Sequence, residues 1–307
     1  MTPATGTSIA SPIKMTKIHV GGSFDDTLVG DPNANNIFVD FGSSDLFGYN
    51  TIKSLGSGNN LGLLFGNNNV YLGDGNNTLF FLGGGNNFAE LGTGSNRVQG
   101  GDGNDVITVG VHKVEYSYIL EHEDGTLTRE FAQYNDPMSG GKSNGVNYVD
   151  GGAGNDSLMG NAGRDTLLGG IGDDYLGGGY NDDTLSGGDG NDFIDGGPGH
   201  DIVDAGRGSD TIYVSNDMVN LGNDGEVDYL YVNPGMSGPL GVSVIEGVQA
   251  NDVLRLYWWQ NAQVQDDLIV VTDLFSGAME YLVGNDIENM QVEVIGKPIY
   301  DFDYLTG

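Results

Sequence analysis

The chain has 307 residues with 43 acidic and 11 basic side chains, and its formal net charge is −32. So acidic a surface argues against nucleic acid and anionic membranes as partners. The chain has no cysteine, which excludes disulfides and thiolate metal sites.

Residues 1–54 are predicted to form an N-terminal segment that leads into the first, irregular coils of a solenoid. Gly-Gly-Ser-Phe-Asp-Asp-Thr-Leu at 21–28 and Ser-Asp-Leu-Phe at 44–47 are degenerate copies of a unit that recurs downstream. Residues 1–20 lack a continuous apolar stretch followed by a cleavage site, so we expect no Sec signal peptide. No segment of the chain reaches the roughly eighteen apolar residues of a membrane span, so none is expected.

Residues 55–108, here called the asparagine block, repeat a Gly-Asn-Asn motif with the period of a solenoid. The motif or a close variant begins at Gly58, Gly66, Gly75, Gly85, Gly94 and Gly103. The inward-facing places are assigned to Val70, Leu79, Val98 and Ile107, with Gly62 and Ala89 as smaller fillers. Because an amide both donates and accepts, stacked asparagines can form hydrogen-bonded ladders along the solenoid axis. We therefore predict a β-roll held mainly by asparagine ladders.

Residues 109–141 interrupt the repeat and are predicted to form an inserted β-hairpin. Alternating apolar and β-favouring residues at 114–120 and 126–132 flank Asp124-Gly125, a dipeptide typical of a hairpin turn. Insertions on repeat scaffolds often carry contacts with partners. A purely decorative hairpin is an equally good interpretation.

Residues 142–213, the aspartate block, contain seven nine-residue units in unbroken succession from 151 to 213. Each unit reads Gly-Gly-x-Gly-x-Asp-x-apolar-x or a near variant. Glycines at the first, second and fourth places allow positive φ and close packing of the turns. The apolar eighth place lies in a short strand and fills a thin core. The predicted inward residues are Leu158, Leu167, Leu176, Leu185, Ile194, Val203 and Ile212.

The sixth place of each unit supplies a carboxylate, and two units complete one coil. The aspartates therefore form two rows, which are Asp156, Asp174, Asp192, Asp210 and Asp165, Asp183, Asp201. Calcium takes about six to eight oxygen ligands from carboxylates and carbonyls, so each neighbouring pair in a row predicts a cage, and the rows predict about five or more ions. Further candidate ligands are Asp105 and the carbonyls of Gly152, Gly154, Gly170, Gly172, Gly188, Gly190, Gly197 and Gly199. Without the ion, clustered carboxylates and a thin core predict a largely disordered chain.

With these units the chain resembles the RTX (repeats-in-toxin, hemolysin-type calcium-binding repeat) family. The resemblance implies an all-β parallel β-roll with calcium between the turns. It also implies a bacterial protein that leaves the cell by type I secretion and is extracellular or attached to the cell surface. Members of this family carry an uncleaved secretion signal at the C-terminus, and the mixed aromatic and acidic residues at 300–307 have the character expected there.

Residues 214–307 are predicted to be a C-terminal β cap, because the nine-residue period stops after Tyr213 and a solenoid needs a covered end. Longer strands are expected at 253–258, 267–272 and 290–295. Trp258 and Trp259 are assigned to the core of this cap, and a sugar-stacking platform is the alternative.

No catalytic constellation is found in the sequence. His122-Glu123-Asp124 lacks the second histidine of a zinc protease motif, so we predict no enzyme. The leading interpretation is a calcium-binding structural, adhesion, surface-layer or matrix protein, with cell-surface polysaccharide or other surface proteins as partners. The alternative is a carbohydrate-binding or accessory module of a polysaccharide-modifying enzyme, for which exposed aromatic residues on the roll or cap would be the sign. The sequence specifies no oligomeric state.

Overall fold

The computed structural model describes residues 16–20, 27–31, 34–39, 49–54, 58–111, 113–121, 127–135, 145–232, 240–257, 260–265, 268–273 and 279–295. In these residues the chain forms two long sheets of 14 and 12 strands and a separate sheet of two. Successive strands alternate between the long sheets, and along most of the chain each pairs in parallel with the strand one coil further on. The fold is a parallel β-roll, as the sequence predicts.

The first sheet takes one strand from each coil. Its order is β1 (Thr16–Val20), β3 (Asn35–Val39), β5 (Asn60–Leu64), β7 (Thr78–Phe81), β9 (Arg97–Asp102), β13 (Tyr148–Ala153), β15 (Thr166–Ile171), β17 (Thr184–Asp189), β19 (Ile202–Arg207), β21 (Met218–Asn220), β23 (Leu240–Glu246), β27 (Met279–Val283), β26 (Leu268–Asp273) and β25 (Gln260–Gln265). The pairs β25–β26 and β26–β27 are antiparallel.

The second sheet takes the other strand from each coil. Its order is β2 (Thr27–Val29), β4 (Tyr49–Ser54), β6 (Asn67–Leu72), β8 (Phe88–Gly92), β10 (Val106–Val111), β14 (Ser157–Met159), β16 (Tyr175–Gly177), β18 (Phe193–Asp195), β20 (Thr211–Val214), β22 (Tyr229–Val232), β24 (Val253–Tyr257) and β28 (Gln291–Ile295). A short 3-10 turn at Ile287–Asn289 precedes the last strand. In the part of the chain that the structure describes, no helix has the length and apolar character needed to cross a membrane.

The core lies between the two sheets and follows the predicted inward places. All seven predicted residues of the aspartate block, from Leu158 to Ile212, are buried. The register joins them coil by coil, with Leu167 beside Leu185 and Leu185 beside Val203. The inward residues predicted for the asparagine block are buried as well.

The core is thicker at the two ends of the roll than in the aspartate block. Two residues after each inward place, the next residue on the same face of the strand also points into the core. In the flanking coils this second inward place holds a buried apolar side chain, as at Leu64, Leu72, Phe81, Leu91, Val214, Leu221, Val232 and Leu256. In the aspartate block the same place is the first of the unit, and it is glycine at Gly151, Gly160, Gly169, Gly178, Gly187 and Gly196. Strands β13 to β19 therefore bury one large side chain each, where most strands on either side bury two.

The insertion leaves the roll in register. Strands β9 and β13 pair directly across it, with Val98 beside Val149, and β10 and β14 do the same, with Ile107 beside Leu158. The inserted strands β11 (Lys113–Glu121) and β12 (Leu127–Asn135) pair with each other in antiparallel fashion, as a hairpin requires. The predicted turn at Asp124-Gly125 lies outside the described residues.

The roll continues beyond the point where the sequence predicts its end. After Tyr213, strands β21 to β24 extend both sheets in parallel, and antiparallel strands begin only at β25. The expectation of a cap from 214 is therefore wrong for the residues of strands β21 to β24. The reason is that the coils keep an Asp-x-apolar element while the connections become irregular in length, so the nine-residue spacing disappears but the pairing persists. Trp258, Trp259 and residues 296–307 lie outside the described part of the chain.

Candidate metal centre

The aspartates at the sixth place lie inside the edges of the roll, just before each strand. The predicted ones and Asp105 are between 0% and 3% exposed. Within each row, the backbone N–H of one aspartate donates to Oδ1 of the aspartate in the next coil. The N–O distances are 2.7 Å from Asp156 to Asp174 and 2.8 Å from Asp165 to Asp183. The two predicted rows are thus confirmed as continuous stacks.

The second carboxylate oxygen of these aspartates has a different environment. In the described residues, Oδ2 is buried and has no hydrogen-bond partner in Asp105, Asp156, Asp165, Asp174, Asp183, Asp192, Asp201, Asp210 and Asp228. A buried, unpaired carboxylate oxygen is costly, because the charge has lost its water and gained no donor in exchange. Its repetition in coil after coil is the arrangement expected of a cation-binding row.

Burial makes these carboxyl groups hard to ionise. Removal from water is the largest cause of a raised pKa at every one of these aspartates, and like charges in the same row or nearby add to it at several. The pKa is raised to about 6 at Asp156, Asp174, Asp201 and Asp210, to about 7 at Asp165 and Asp192, and to about 8 at Asp105, Asp183 and Asp228. A divalent cation at Oδ2 would reverse this shift and keep the groups charged.

The glycine at the first place of each unit leaves space beside Oδ2. A Cβ built on Gly178 would lie 2.6 Å from Asp183 Oδ2 and 2.6 Å from the carbonyl oxygen of Gly196 in the next coil. The same pair of oxygens, from Asp165 and Gly178, would crowd a Cβ on Gly160. Neither glycine has positive φ. The first glycine is thus required for space, and the expectation that it serves backbone conformation is wrong.

The second and fourth glycines do serve the backbone. Gly152, Gly154, Gly170, Gly172, Gly188, Gly190 and Gly197 have φ between 89° and 147°. Gly199 is the exception among the predicted ligands, since its φ lies outside the left-handed region. The carbonyl oxygen of a turn glycine lies next to the equivalent glycine of the next coil. The Gly152 carbonyl oxygen, for example, leaves no room for a Cβ on Gly170. Stacked turns therefore bring rows of carbonyl oxygens close to the rows of carboxylates.

The carboxylate and carbonyl oxygen atoms of these turns suit calcium as ligands. Among the residues that the structure describes, no group of three or more His, Cys, Asp or Glu side chains converges on one point. A cation here must therefore take backbone carbonyl oxygens together with Oδ2 atoms, an all-oxygen set that suits a hard ion such as calcium. The residues that would hold it are the sixth-place aspartates and the glycine-rich turns before them.

The structure adds three aspartates that the sequence analysis missed. Backbone N–H groups connect Asp201 to Asp217 at 3.1 Å, Asp210 to Asp228 at 3.0 Å and Asp228 to Asp252 at 3.1 Å, so both rows continue. Only Asp228 has an unpaired Oδ2. Asp217 and Asp252 use theirs to accept the backbone N–H of Ser215 and Gln249. The Asp-x-apolar element is the sequence signal that would have found all three.

The fold and the buried oxygen rows define the chain as a calcium-binding β-roll. The model of the RTX calcium-binding nonapeptide repeat matches it in four copies, at residues 20–46, 81–111, 143–176 and 177–212. The chain therefore carries RTX calcium-binding repeats, which confirms the resemblance. No curated protein sequence is significantly similar to the chain.

Among solved structures, the extracellular lipase LipA from Serratia marcescens is similar to the chain at 19% identity with a TM-score of 0.20. The alignment covers 86% of this chain and 45% of the lipase. The chain thus spans less than half of the length of that enzyme.

Proposed function

We propose that the chain is a secreted bacterial structural protein for adhesion, a surface layer or the extracellular matrix, and that its aspartate block folds when it meets calcium outside the cell. The observation that carries the proposal is the repeated, buried and unpaired Oδ2 atom. Export by type I secretion agrees with the repeats. The expected partners are cell-surface polysaccharide or other surface proteins.

The chain's own residues would act as a cage. Calcium supplies the positive charge that lets stacked carboxylates remain ionised in a dry site. The aspartates at the sixth place present Oδ2, while their Oδ1 atoms hold the preceding coil by accepting the backbone N–H of its aspartate. The first glycines leave room for the ion. Neighbouring aspartates in the two predicted rows provide about five such sites, and Asp105 extends one row by a coil.

Far-UV circular dichroism of the full chain tests the calcium requirement. In chelator, the β signal of the aspartate block should be lost, and millimolar calcium should restore it. Calorimetric titration should then give about five or more ions per chain. A β signal of full size in chelator, at neutral pH and with no residual metal, would contradict the proposal.

Carbohydrate binding is the second candidate function, and an aromatic row on the second sheet favours it. Tyr175 and Phe193 lie 4.9 Å apart between ring centroids, and the row continues through Tyr213, Tyr231 and Tyr257. Two of the pairs are nearly parallel, at 7° and 8°, so these rings cover faces that a sugar would need. Rings stacked on each other support carbohydrate binding less than rings with exposed faces would.

Tyr175 is 41% exposed, and it offers the clearest test of carbohydrate binding. Native affinity gels that contain a neutral polysaccharide should retard the wild-type chain and not Tyr175→Ala. Equal mobility of the wild-type chain with and without polysaccharide would remove this candidate.

A further inference from the structure

The asparagine block satisfies its turns without a metal. Asn77 Nδ2 donates to the carbonyl oxygens of Gly73 and Gly75, both at 3.1 Å. Asn96 Nδ2 does the same with Gly92 at 3.0 Å and Gly94 at 3.4 Å. These are the carbonyls at the second and fourth places of the turn. In the aspartate block, the atom at the position of this amide is Oδ2, which is an acceptor like the carbonyls.

The amides also join the coils to each other. Asn60 Nδ2 donates to Asn77 Oδ1 at 2.6 Å, Asn77 to Asn96 at 2.9 Å, and Asn96 to Asn147 at 2.9 Å. Asn68 Nδ2 donates to Asn87 Oδ1 at 2.8 Å in the other row. The predicted asparagine ladders are therefore present. Each one replaces an interaction between coils that elsewhere requires a charged group and its counter-ion.

The first place of the turn changes together with the sixth. Where the sixth place is asparagine, the first holds a buried Leu72, Phe81 or Leu91. Where the sixth place is an aspartate with an unpaired Oδ2, the first is glycine in most turns. A leucine side chain fills the space that a glycine leaves open beside Oδ2. An apolar first place with an asparagine at the sixth thus gives a filled, uncharged turn. A glycine at the first place with an aspartate at the sixth gives a turn with space and negative charge for an ion.

We propose that the first and sixth places together decide whether a turn takes calcium, and that residues 58–98 form a calcium-independent template on which the aspartate block folds. The second half of this inference rests on the proposed function, in which the aspartate turns need the ion. The template already holds the first aspartates. Asn87 of the template donates through N and Nδ2 to Asp105 Oδ1 at 2.7 and 2.9 Å. In the other row, Asn96 of the template donates to Asn147, and Asn147 in turn donates to Asp165 Oδ1 at 2.9 and 2.7 Å.

These contacts matter because the free edge of a folded solenoid can direct the pairing of the next coil. Asp105 and Asp165 stand at the start of the two rows, and amide donors fix their carboxylates before any ion is needed. At the end of the template, β7 and β8 present the backbone groups to which β9 and β10 pair, and β13 and β14 pair with β9 and β10 in turn. A chain that meets calcium therefore adds coils to an existing end.

Hydrogen exchange of the full chain, resolved by segment, tests the template. In chelator, amides of residues 60–98 should remain protected while those of 157–212 exchange rapidly, and calcium should protect both. Simultaneous loss of protection in both segments would overturn the template while leaving the proposed function intact. Protection of both segments in chelator would instead contradict the calcium requirement, and with it the contrast between the two kinds of turn.

A pair of matched variants tests the rule for the two places. The double change L91G/N96D converts residues 91–96 to the consensus Gly-Gly-x-Gly-x-Asp. It and its control are both made in an N147D background, because Asn147 is the next residue of the row and a cage needs two neighbouring aspartates. The control, L91G/S95D, opens the same space but adds the carboxylate at Ser95, which is exposed. Both variants should lose protection of residues 88–98 in chelator. Calcium should restore at least tenfold slower exchange in L91G/N96D and change L91G/S95D by less than twofold. Equal responses of the two variants would overturn the rule.

Discussion

The asparagine block and the aspartate block share one solenoid and stabilise it in different ways. Both have the same sheets, the same register and the same inward column of apolar residues. The asparagine block adds a second apolar column and amide ladders. The aspartate block gives up that column, which forgoes about 1.5–3 kcal/mol for each large side chain that is not buried. The comparison indicates that the coil geometry itself can form without calcium. In the proposed function, the ion compensates for the smaller core of the aspartate block.

The largest expected effect comes from closing the space for the ion. In Gly178→Ala, the added Cβ would stand 2.6 Å from Asp183 Oδ2 and from the Gly196 carbonyl oxygen, and both belong to the proposed cage. We expect calcium-loaded stability to fall by about 3 kcal/mol, measured by urea unfolding. Gly84→Ala is the control, because Gly84 also lacks positive φ and its Cβ would meet Asp102 at an ordinary 3.8 Å. A loss of similar size in both variants would contradict the assignment of this space.

Exchange of one carboxylate for an amide should lower the stability of the calcium-loaded chain and raise the stability of the chain in chelator. Asp192→Asn removes an ionised ligand from the middle of a row, so the calcium-loaded chain should lose about 2 kcal/mol and bind at least one ion fewer. In chelator the same variant should be more stable than wild type, because the amide can donate to turn carbonyls and carries no buried charge. Urea unfolding with calcium and in chelator measures the two changes in stability, and calorimetry measures the number of ions bound. Asn191→Asp, at an exposed neighbouring place, is the matched control for charge. Destabilisation of Asp192→Asn under both conditions would refute this prediction.

In chelator, the pH dependence of stability should differ between the aspartate block and the asparagine block. The pKa of Asp174 is raised to about 6 and that of Asp183 to about 8 from a usual 3.8, so the folded aspartate block binds more protons than the unfolded chain in this range. Its stability without calcium is therefore fully present below pH 4 and is lost as the pH rises through 6 to 8. Circular dichroism in chelator should show more β structure at pH 4 than at pH 8.

Residues 60–98 of the asparagine block provide the internal reference for that experiment, since the sixth places of their turns hold neutral amides. Their hydrogen-exchange protection should change little over the same pH range. With excess calcium the trend of the aspartate block should reverse, because the ion competes with protons for Oδ2. A chelated aspartate block that gains stability on going from pH 4 to pH 8 would contradict the assignment of unpaired, desolvated carboxylates.

The smallest expected effect on stability comes from removal of the insertion. Strands β9 and β13 pair directly across it. The predicted start of the insertion at residue 109 is too early, because Val109 is buried and β10 continues to Val111. Replacing residues 112–144 by a short Gly-Asn linker should therefore change the unfolding free energy by less than about 1 kcal/mol. If the hairpin carries recognition, attachment to cells or matrix should be lost at the same time. Attachment retained by a folded variant would place the binding surface on the roll. Loss of folding would make the insertion part of the structure that stabilises the roll.

Much of the fold was predictable because it follows from a strict period. The spacing of the units fixed which of Leu158, Leu167 and Leu176 face inward and which aspartates stack. The end of the roll was not predictable by the same means. Asp217, Asp228 and Asp252 keep the stack, but they follow the previous aspartate of their row by 16, 18 and 24 residues. The two rows therefore no longer alternate every nine residues, and only the local Asp-x-apolar element survives.

The role of the first place in the unit needed coordinates. A glycine in a turn is usually explained by backbone conformation, and the sequence alone offers no reason to separate Gly178 from Gly179. The structure separates them, because Gly179 has positive φ and Gly178 does not. The unpaired Oδ2 atoms were likewise invisible in the sequence, since Oδ1 and Oδ2 of one aspartate differ only in what surrounds them.

Anomalous scattering from crystals grown with calcium tests the central claim most directly. We predict peaks beside the Oδ2 atoms between neighbouring aspartates from Asp156 to Asp210 and from Asp165 to Asp201. We predict none beside the Nδ2 atoms of Asn60, Asn77 and Asn96, where amide donors and apolar side chains take the place of the ion. Peaks of equal height in both blocks, or an aspartate block that is ordered and free of metal at neutral pH, would contradict the account.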